Sequence, residues 1–186
     1  MIVCIGWGSL LWNPGELPLG GAWSPDGPEL GVEFARQAAN DRITLVVVEG
    51  SAPCRTLWVP MAVDSVAEAR RALASREGCD ERWIGVWPGT EDDLVADHWT
   101  PGPAPPGYQA VAKWAGGRGL AGAVWTGLPI GLRGARGVVP SADEVIAFLR
   151  RLSGEPRQRA EKYIRRAPAQ TRTPYRRRIE TALGLA

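Results

Sequence analysis

A short apolar strand followed by two closely spaced glycines is the feature that most restricts how this chain can fold. Residues 1–5 are apolar and rich in β-branched side chains, which predicts a buried strand. Gly6 and Gly8 then allow a tight turn, whose consecutive amides can converge on one anionic oxygen. The sequence thus predicts either an anion-binding loop or a simple turn at a strand end. A dinucleotide site is excluded, since Leu11 replaces the third glycine of that fingerprint.

Length and charge favour a single domain without a polyanionic or lipid partner for the whole molecule. The 186 residues are enough for one well-buried domain and few for two. The net charge of +2 is too small to indicate nucleic-acid or membrane binding by the molecule as a whole. No run approaches the roughly 18 apolar residues of a membrane span, and the first residues lack the basic start of a signal peptide. We therefore expect a cytoplasmic protein.

The cysteines and the one histidine do not form a metal-binding pattern. Cys4, Cys54 and Cys79 are widely separated, and His98 alone could add an imidazole. Neither a disulfide framework nor a zinc site is indicated by such spacing. We expect reduced thiols and no bound metal.

Apolar and alternating runs predict strands over most of the first 130 residues. Residues 32–36 and 43–48 are expected to form a hairpin with a turn at Asn40-Asp41, after a surface loop over 13–30. Further strands are predicted over 57–63, 82–87 and 121–128. The proline-rich residues 88–107 are expected to form a lid or a plain connection.

Capping patterns predict the helices. Ser65 with Glu68 forms a capping box, so a helix is expected from there to Gly78, and Ser141 with Glu144 begins another that ends at Gly154. Two more helices are expected over 156–166 and from Thr173-Pro174 to Gly184. Strands early and helices late predict an α+β fold with a mostly antiparallel or mixed sheet.

The last third of the chain is strongly basic. Of the 22 basic residues, 11 lie between Arg150 and Arg178. Arg176-Arg177-Arg178 falls off the apolar face made by Tyr175, Ile179 and Leu183, as expected for a solvated helix surface or a nucleic-acid contact. Since no aromatic stacking platform accompanies these arginines, nucleic-acid binding is disfavoured.

Glu77 is the residue best placed to transfer a proton. It falls in the last turn of the predicted helix, where the negative end of the macrodipole disfavours a carboxylate and raises its pKa. Cover by Trp83 or Trp87 would raise the pKa further through desolvation, whereas pairing with Arg76 or Arg82 would lower it. An exposed glutamate beside an arginine near a helix end is the alternative.

Two separated motifs resemble the γ-glutamyl cyclotransferase-like superfamily, in particular its ChaC branch. Gly6-Trp7-Gly8-Ser9-Leu10-Leu11-Trp12-Asn13-Pro14 is similar to the opening loop of that family, and Leu73-x-x-Arg76-Glu77-Gly78 resembles the segment that holds its catalytic glutamate. Phe34-x-Arg36 and Arg42-x-Thr44-Leu45 are similar to the strands between them. The resemblance covers about residues 1–90 in the family's order, and residues 91–186 do not align.

The resemblance implies a fold, a reaction and a set of site residues. It implies a small mixed or antiparallel β-barrel flanked by helices, in one domain over residues 1–186 with a basic helical extension from about residue 140. Trp7 stands where the family usually has tyrosine, so any contact made by that hydroxyl is lost. The expected substrate-binding residues are Trp7, Gly8, Ser9, Leu10, Arg42 and Trp83, and the expected acid/base is Glu77.

The implied reaction cleaves a γ-glutamyl amide to 5-oxoproline and a free amine without a cofactor. The α-amine of the substrate attacks its own γ-carbonyl, and Glu77 transfers the proton. A Ser9–His98 hydrolase pair is disfavoured because the Gly-x-Ser-x-Gly elbow is absent. A non-catalytic ligand-binding or nucleic-acid-binding protein on the same fold remains the alternative.

Overall fold

The protein has a mixed α+β fold. The computed structural model describes residues 1–90, Asp93, His98 and residues 104–185. These residues form two sheets and five helices, as the sequence predicts for the fold class. The sheets of the described residues do not close into a barrel, so the barrel that the resemblance implies is not confirmed. Much of the predicted lid or connection over 88–107 lies outside the described residues.

The elements follow one another along the chain as strands first and helices later. The strands are β1 (Ile2–Gly6), β2 (Glu29–Gln37), β3 (Ile43–Val47), β4 (Pro53–Arg55), β5 (Leu57–Pro60), β6 (Ile84–Trp87) and β7 (Gly122–Thr126). The helices are α1 (Val66–Glu77), α2 (Tyr108–Gly116), α3 (Ala142–Arg151), α4 (Gly154–Arg166) and α5 (Pro174–Leu183). Short 3-10 turns lie at Ser9–Leu11, Glu81–Trp83 and Ala169–Thr171.

The larger sheet brings the ends of two parallel strands together. Its strand order is β5-β1-β7-β6, in which β1 and β7 are parallel and the outer pairs are antiparallel. All five residues of β1 are buried, which explains its continuous apolar sequence. Ligands of sheets with parallel strands commonly bind beyond the carboxyl ends of those strands. In this protein that edge is where β1 leaves the sheet at Gly6 and β7 ends at Thr126.

The smaller sheet confirms the predicted hairpin. Its order is β3-β2-β4, with both pairs antiparallel, and the β2–β3 turn contains Asp41 at a φ of 61°. A register shift between Phe34 and Arg36 interrupts the β2–β3 ladder. Because a bulge redirects the side chains that follow it, Arg36 can point toward the end of α1.

Helix α1 begins and ends where the sequence predicts. The Ser65 hydroxyl accepts a hydrogen bond from the Glu68 amide, and Gly78 ends the helix at a φ of 63°, a conformation that favours glycine. The Glu68 carboxylate accepts from the Asp64 amide at 3.1 Å, one residue before the partner that a complete capping box would use. Glu77 is consequently the last helical residue.

The C-terminal helices belong to the main core of the protein. Leu149 of α3, Ile164 of α4 and Ile179 of α5 are fully buried in the cluster that also contains strand residues of both sheets. Gly154, expected to end a helix, is the first residue of α4. Helices α3 to α5 therefore pack against the strands as part of the same core.

Arg176 corrects the expectation for the arginine run. Its side chain does not lie on a solvated surface: the residue is 8 % exposed. Its guanidinium donates to the carbonyls of Ala167 and Pro168 at 2.9 and 2.8 Å and pairs with Glu180 at 2.8 Å. This arginine therefore holds the segment between α4 and α5 against the start of α5, and its guanidinium is not available to a polyanion.

Candidate active site

A cavity of about 650 Å³ opens at the edge where β1 and β7 end. Its walls come from the turn after β1, the last turn of α1, the β2–β3 hairpin and the middle of α4. Its volume lies within the usual range for a small-molecule site. Its charged lining residues are Glu16, Arg36, Arg42, Arg76 and Glu77.

Three residues of the turn after β1, Gly8, Ser9 and Leu10, line this cavity. Ser9–Leu11 forms a 3-10 turn in which the carbonyls of Gly8 and Ser9 accept from amides further along the chain. Within the described part of the chain, the amides of Gly8, Ser9 and Leu10 donate to no protein acceptor. The first amides of any helical turn are left without internal partners and are available to an anion.

Close packing explains the two glycines of this turn. A Cβ atom at Gly6 would lie 2.8 Å from the ring of Trp23, and one at Gly8 would lie 2.7 Å from the Tyr163 hydroxyl oxygen. Side chains at either position would therefore push the turn away from its neighbours. Gly8 in particular lets the turn approach the hydroxyl of a residue from α4.

Glu77 forms a nearly buried ion pair at the end of α1. Its Oε1 lies 2.6 Å from Nη1 of Arg76, and the side chains of Arg76 and Glu77 are only 9 % and 16 % exposed. Burial raises the pKa of Glu77 and outweighs Arg76, which acts in the opposite direction. More weakly, the positive charges of Arg36 and Arg42 also lower this pKa. The alternative of an exposed glutamate at a helix end is thus wrong.

Arg76 also links Glu77 to the amide-bearing turn. Its Nη2 donates to the Ser9 hydroxyl at 3.3 Å, and its Nε donates to the Asn13 carbonyl at 3.2 Å. One guanidinium therefore holds the carboxylate and both ends of the turn in a fixed relation. The sequence identifies Arg76 as a possible partner of Glu77 but does not reveal this link.

Two further arginines line the cavity opposite α1. The Arg36 guanidinium donates to the Pro129 carbonyl at 2.7 Å, and burial lowers its pKa. The Arg42 guanidinium lies 5.5 Å from the centre of the Tyr163 ring and donates from Nε to Asn40 at 3.0 Å. Such placement leaves Arg42 able to pair with a carboxylate in the cavity.

Three aromatic side chains form the remaining wall. Trp7 is buried, and its indole N–H donates to the Leu45 carbonyl at 3.3 Å. The Tyr163 hydroxyl accepts from the Leu45 amide at 3.3 Å, and the edge of Trp12 packs against the Tyr163 ring with centroids 5.5 Å apart. Tyr163 lies outside the aligned motifs, in the helix predicted over 156–166, and the sequence analysis did not identify it as a site residue.

The structure brings together all but one of the predicted site residues. The cavity is lined by Trp7, Gly8, Ser9, Leu10, Arg42 and Glu77. Trp83 is not among its lining residues in the described part of the chain, so the expectation that it contacts substrate is corrected. Asp80 caps the 3-10 turn at Glu81–Trp83, and the Trp83 ring lies edge-on to His98 with ring centroids 5.1 Å apart.

The geometry does not favour a serine–histidine pair. His98 lies beside Trp83, and its Nε2 is 2.7 Å from the Arg82 carbonyl, whereas the Ser9 hydroxyl contacts Arg76. Residues 1–90, 93, 98 and 104–185 include no group of three or more histidine, cysteine or acidic side chains suited to a metal ion. None of the helices described over these residues combines the length and the apolar character that a membrane crossing requires.

The chain matches no known protein-family model, no curated protein and no solved structure.

Proposed function

We propose that this protein is a γ-glutamyl cyclotransferase-like enzyme that converts a γ-glutamyl amide to 5-oxoproline and a free amine. The observation that carries the proposal is that Glu77 lines one cavity with Gly8, Ser9 and Leu10, whose amides donate to no acceptor among the described residues. The two motifs that resemble the superfamily supply these same residues. A buried base and an oxyanion-binding turn are the two elements that an intramolecular acyl transfer requires.

The proposed reaction needs only groups of the substrate and the protein. The α-nitrogen of the glutamyl group bonds to its γ-carbon, closing a five-membered ring, and the bond from the γ-carbon to the amide nitrogen breaks. Because nucleophile and electrophile belong to one molecule, holding them in a near-attack geometry can supply about 7–11 kcal/mol. No cofactor enters this scheme.

Glu77 is the proton carrier in this scheme. It removes a proton from the α-ammonium group before the attack, and the ring nitrogen loses a second proton as the amide bond breaks. The leaving nitrogen takes up two protons and departs as an ammonium ion, so that no net proton is consumed. The ordinary pKa values of a glutamate and an α-amine differ by roughly 3.5 units, which sets about 4.8 kcal/mol against the first transfer. Burial of Glu77 reduces this difference because it raises the pKa of the carboxyl.

The remaining cavity residues recognise the glutamyl group. The amides of Gly8, Ser9 and Leu10 bind the γ-carbonyl oxygen, whose negative charge grows as the ring closes. Arg42 is placed to bind the α-carboxylate, since its terminal nitrogens make no hydrogen bond to another described residue. The leaving amine is not specified by these contacts.

The test is a screen for 5-oxoproline with purified protein. The panel contains glutathione, γ-glutamyl amino acids and γ-glutamyl alkylamines, each beside its N-acetylated form, in which the α-nitrogen cannot attack. The proposal predicts equal amounts of 5-oxoproline and amine from at least one free compound and none from its acetylated form. Release of glutamate, or equal cleavage of the acetylated compound, would indicate hydrolysis. Binding without any release would favour a non-catalytic ligand-binding protein.

A further inference from the structure

Tyr163 is held rigidly at the cavity by a part of the chain that the motifs do not cover. It belongs to α4, is 5 % exposed, and packs edge-on against Phe34 and Trp12 with ring centroids 6.2 and 5.5 Å apart. A ring fixed on two sides has little freedom to move its hydroxyl. The oxygen of Tyr163 therefore has a defined position in the cavity wall.

The Tyr163 hydroxyl is free to donate a hydrogen bond within the described part of the chain. Its oxygen accepts from the Leu45 amide at 3.3 Å, and it donates to no acceptor among the residues that the structure describes. A phenol can accept and donate at the same time. Burial raises the pKa of Tyr163 to about 12, so the group stays a neutral donor at physiological pH.

The hydroxyl lies against the amide-bearing turn. A Cβ atom at Gly8 would be only 2.7 Å from it, and both groups line the same cavity. Of the two tryptophans in this wall, Trp7 already donates its indole N–H to the Leu45 carbonyl, and Trp12 packs edge-to-face against the Tyr163 ring. Tyr163 is the aromatic residue whose polar group is placed directly against Gly8, so it can add a side-chain donor to the amides of the turn.

We propose that the Tyr163 hydroxyl donates a hydrogen bond to the same γ-carbonyl oxygen that the Gly8–Leu10 amides bind. This inference rests on the proposed ring closure and adds a third kind of group to it, beside the amides and Glu77. The bond strengthens as the carbonyl oxygen gains negative charge, so it acts on the transition state more than on the bound substrate.

The test compares Tyr163→Phe with wild-type protein on the most active γ-glutamyl compound of the panel. Loss of one oxyanion donor is expected to lower kcat about 100-fold while KM changes by less than about threefold. Tyr175→Phe is the matched control, because it removes a hydroxyl that donates to the Pro140 carbonyl at 2.9 Å and does not line the cavity. That control is expected to keep wild-type kcat.

Gly8→Ala supplies a second test of the same contact. Its methyl group would displace the Tyr163 hydroxyl, so kcat should fall in the wild-type background but little further in Tyr163→Phe, where the methyl group has room. Losses that multiply in the double variant would overturn the inference. If circular dichroism shows that Tyr163→Phe is unfolded, the inference is tested with Gly8→Ala alone. A folded Gly8→Ala variant with wild-type kcat overturns the inference.

The outcomes separate this inference from the proposed function. If wild-type protein forms 5-oxoproline and Tyr163→Phe has wild-type kcat, the ring closure stands and the role of Tyr163 is overturned. If wild-type protein forms no 5-oxoproline from any compound, both fail together. A kcat loss in Tyr163→Phe with KM within about threefold of wild type, beside wild-type kcat in Tyr175→Phe, supports the donor role. Loss of kcat together with a larger rise in KM would indicate a merely structural role and overturn the inference. The melting temperature is not used to decide, because Tyr163→Phe also removes the acceptor of the Leu45 amide.

Discussion

Arg76 and Glu77 are adjacent in sequence and form an ion pair of 2.6 Å whose side chains are 9 % and 16 % exposed. The pair fixes the orientation of the carboxyl, and the same guanidinium contacts Ser9 at 3.3 Å. Its charge also lowers the pKa that burial raises. Arg76 therefore lowers the basicity of Glu77 and also fixes the position of its carboxyl beside the turn.

Arg76→Gln is expected to move the acidic limb of the pH profile of kcat/KM to higher pH. In the wild type, the positive charge of Arg76 favours the ionised form of Glu77. An adjacent arginine typically lowers a carboxyl pKa by about 1–3 units. Without it, Glu77 becomes an active base only at higher pH, and the limb should move up by at least about one unit. Arg71→Gln, an exposed residue of the same helix, is the control. An unmoved limb would contradict the assignment of Glu77 as the base.

Glu77 should also make the folded protein less stable as pH rises. Because its pKa is higher in the folded state than in the unfolded state, the folded state binds more protons between the two values. The free energy of unfolding of the wild type, minus that of Glu77→Gln, is expected to fall with increasing pH from about 4.3 upward and to level off above the folded pKa. Urea unfolding over pH 4–9 measures this difference. A difference that rises with pH would mean that the ion pair dominates over burial.

Thr173→Val is expected to destabilise the packing of the C-terminal helices. The Thr173 hydroxyl accepts from the Arg176 amide at 3.2 Å at the start of α5 and donates to Glu33, a carboxyl that is 3 % exposed. Loss of a helix cap together with a buried hydrogen bond should lower the free energy of unfolding by about 2 kcal/mol. Thr181→Val removes an exposed hydroxyl of α5 and should cost less than about 0.5 kcal/mol. Equal losses would show that Thr173 has no special role.

Trp12 and Trp83 are expected to differ in their effect on substrate binding. Trp12 lines the cavity and Trp83 does not, although the sequence favours Trp83 as a contact. Trp12→Leu removes the ring that packs on Tyr163 and should raise KM about tenfold, equivalent to about 1.4 kcal/mol. Trp83→Phe should leave KM within about twofold of wild type. The opposite ranking would place the substrate outside this cavity.

The sequence was most informative where structure is determined locally. The turn after β1 follows from two glycines behind a buried strand, and the position of Glu77 follows from the cap at Ser65 and the stop at Gly78. These features depend on neighbours within a few residues, so periodicity and capping rules predict them. The β2–β3 hairpin is confirmed for the same reason.

Features that depend on distant contacts were not predictable. Tyr163 reaches the cavity through packing of α4 against strands more than 100 residues earlier, which no local pattern encodes. Arg176 is buried by carbonyls of the α4–α5 connection, although its neighbours in the basic run suggested a solvated surface. Helix α2 lacks a side-chain cap, and the three-residue strand β4 is too short for a period, so neither was predicted.

The most direct test of the proposed chemistry is the turnover of Glu77→Gln beside its affinity for substrate. Glutamine keeps the size of the side chain but cannot carry the proton, and general acid–base catalysis is typically worth about 100- to 10,000-fold. We expect kcat for 5-oxoproline formation to fall by at least about 100-fold, with calorimetric binding of the same γ-glutamyl compound retained. A Glu77→Gln variant that turns over at the wild-type rate would contradict the account.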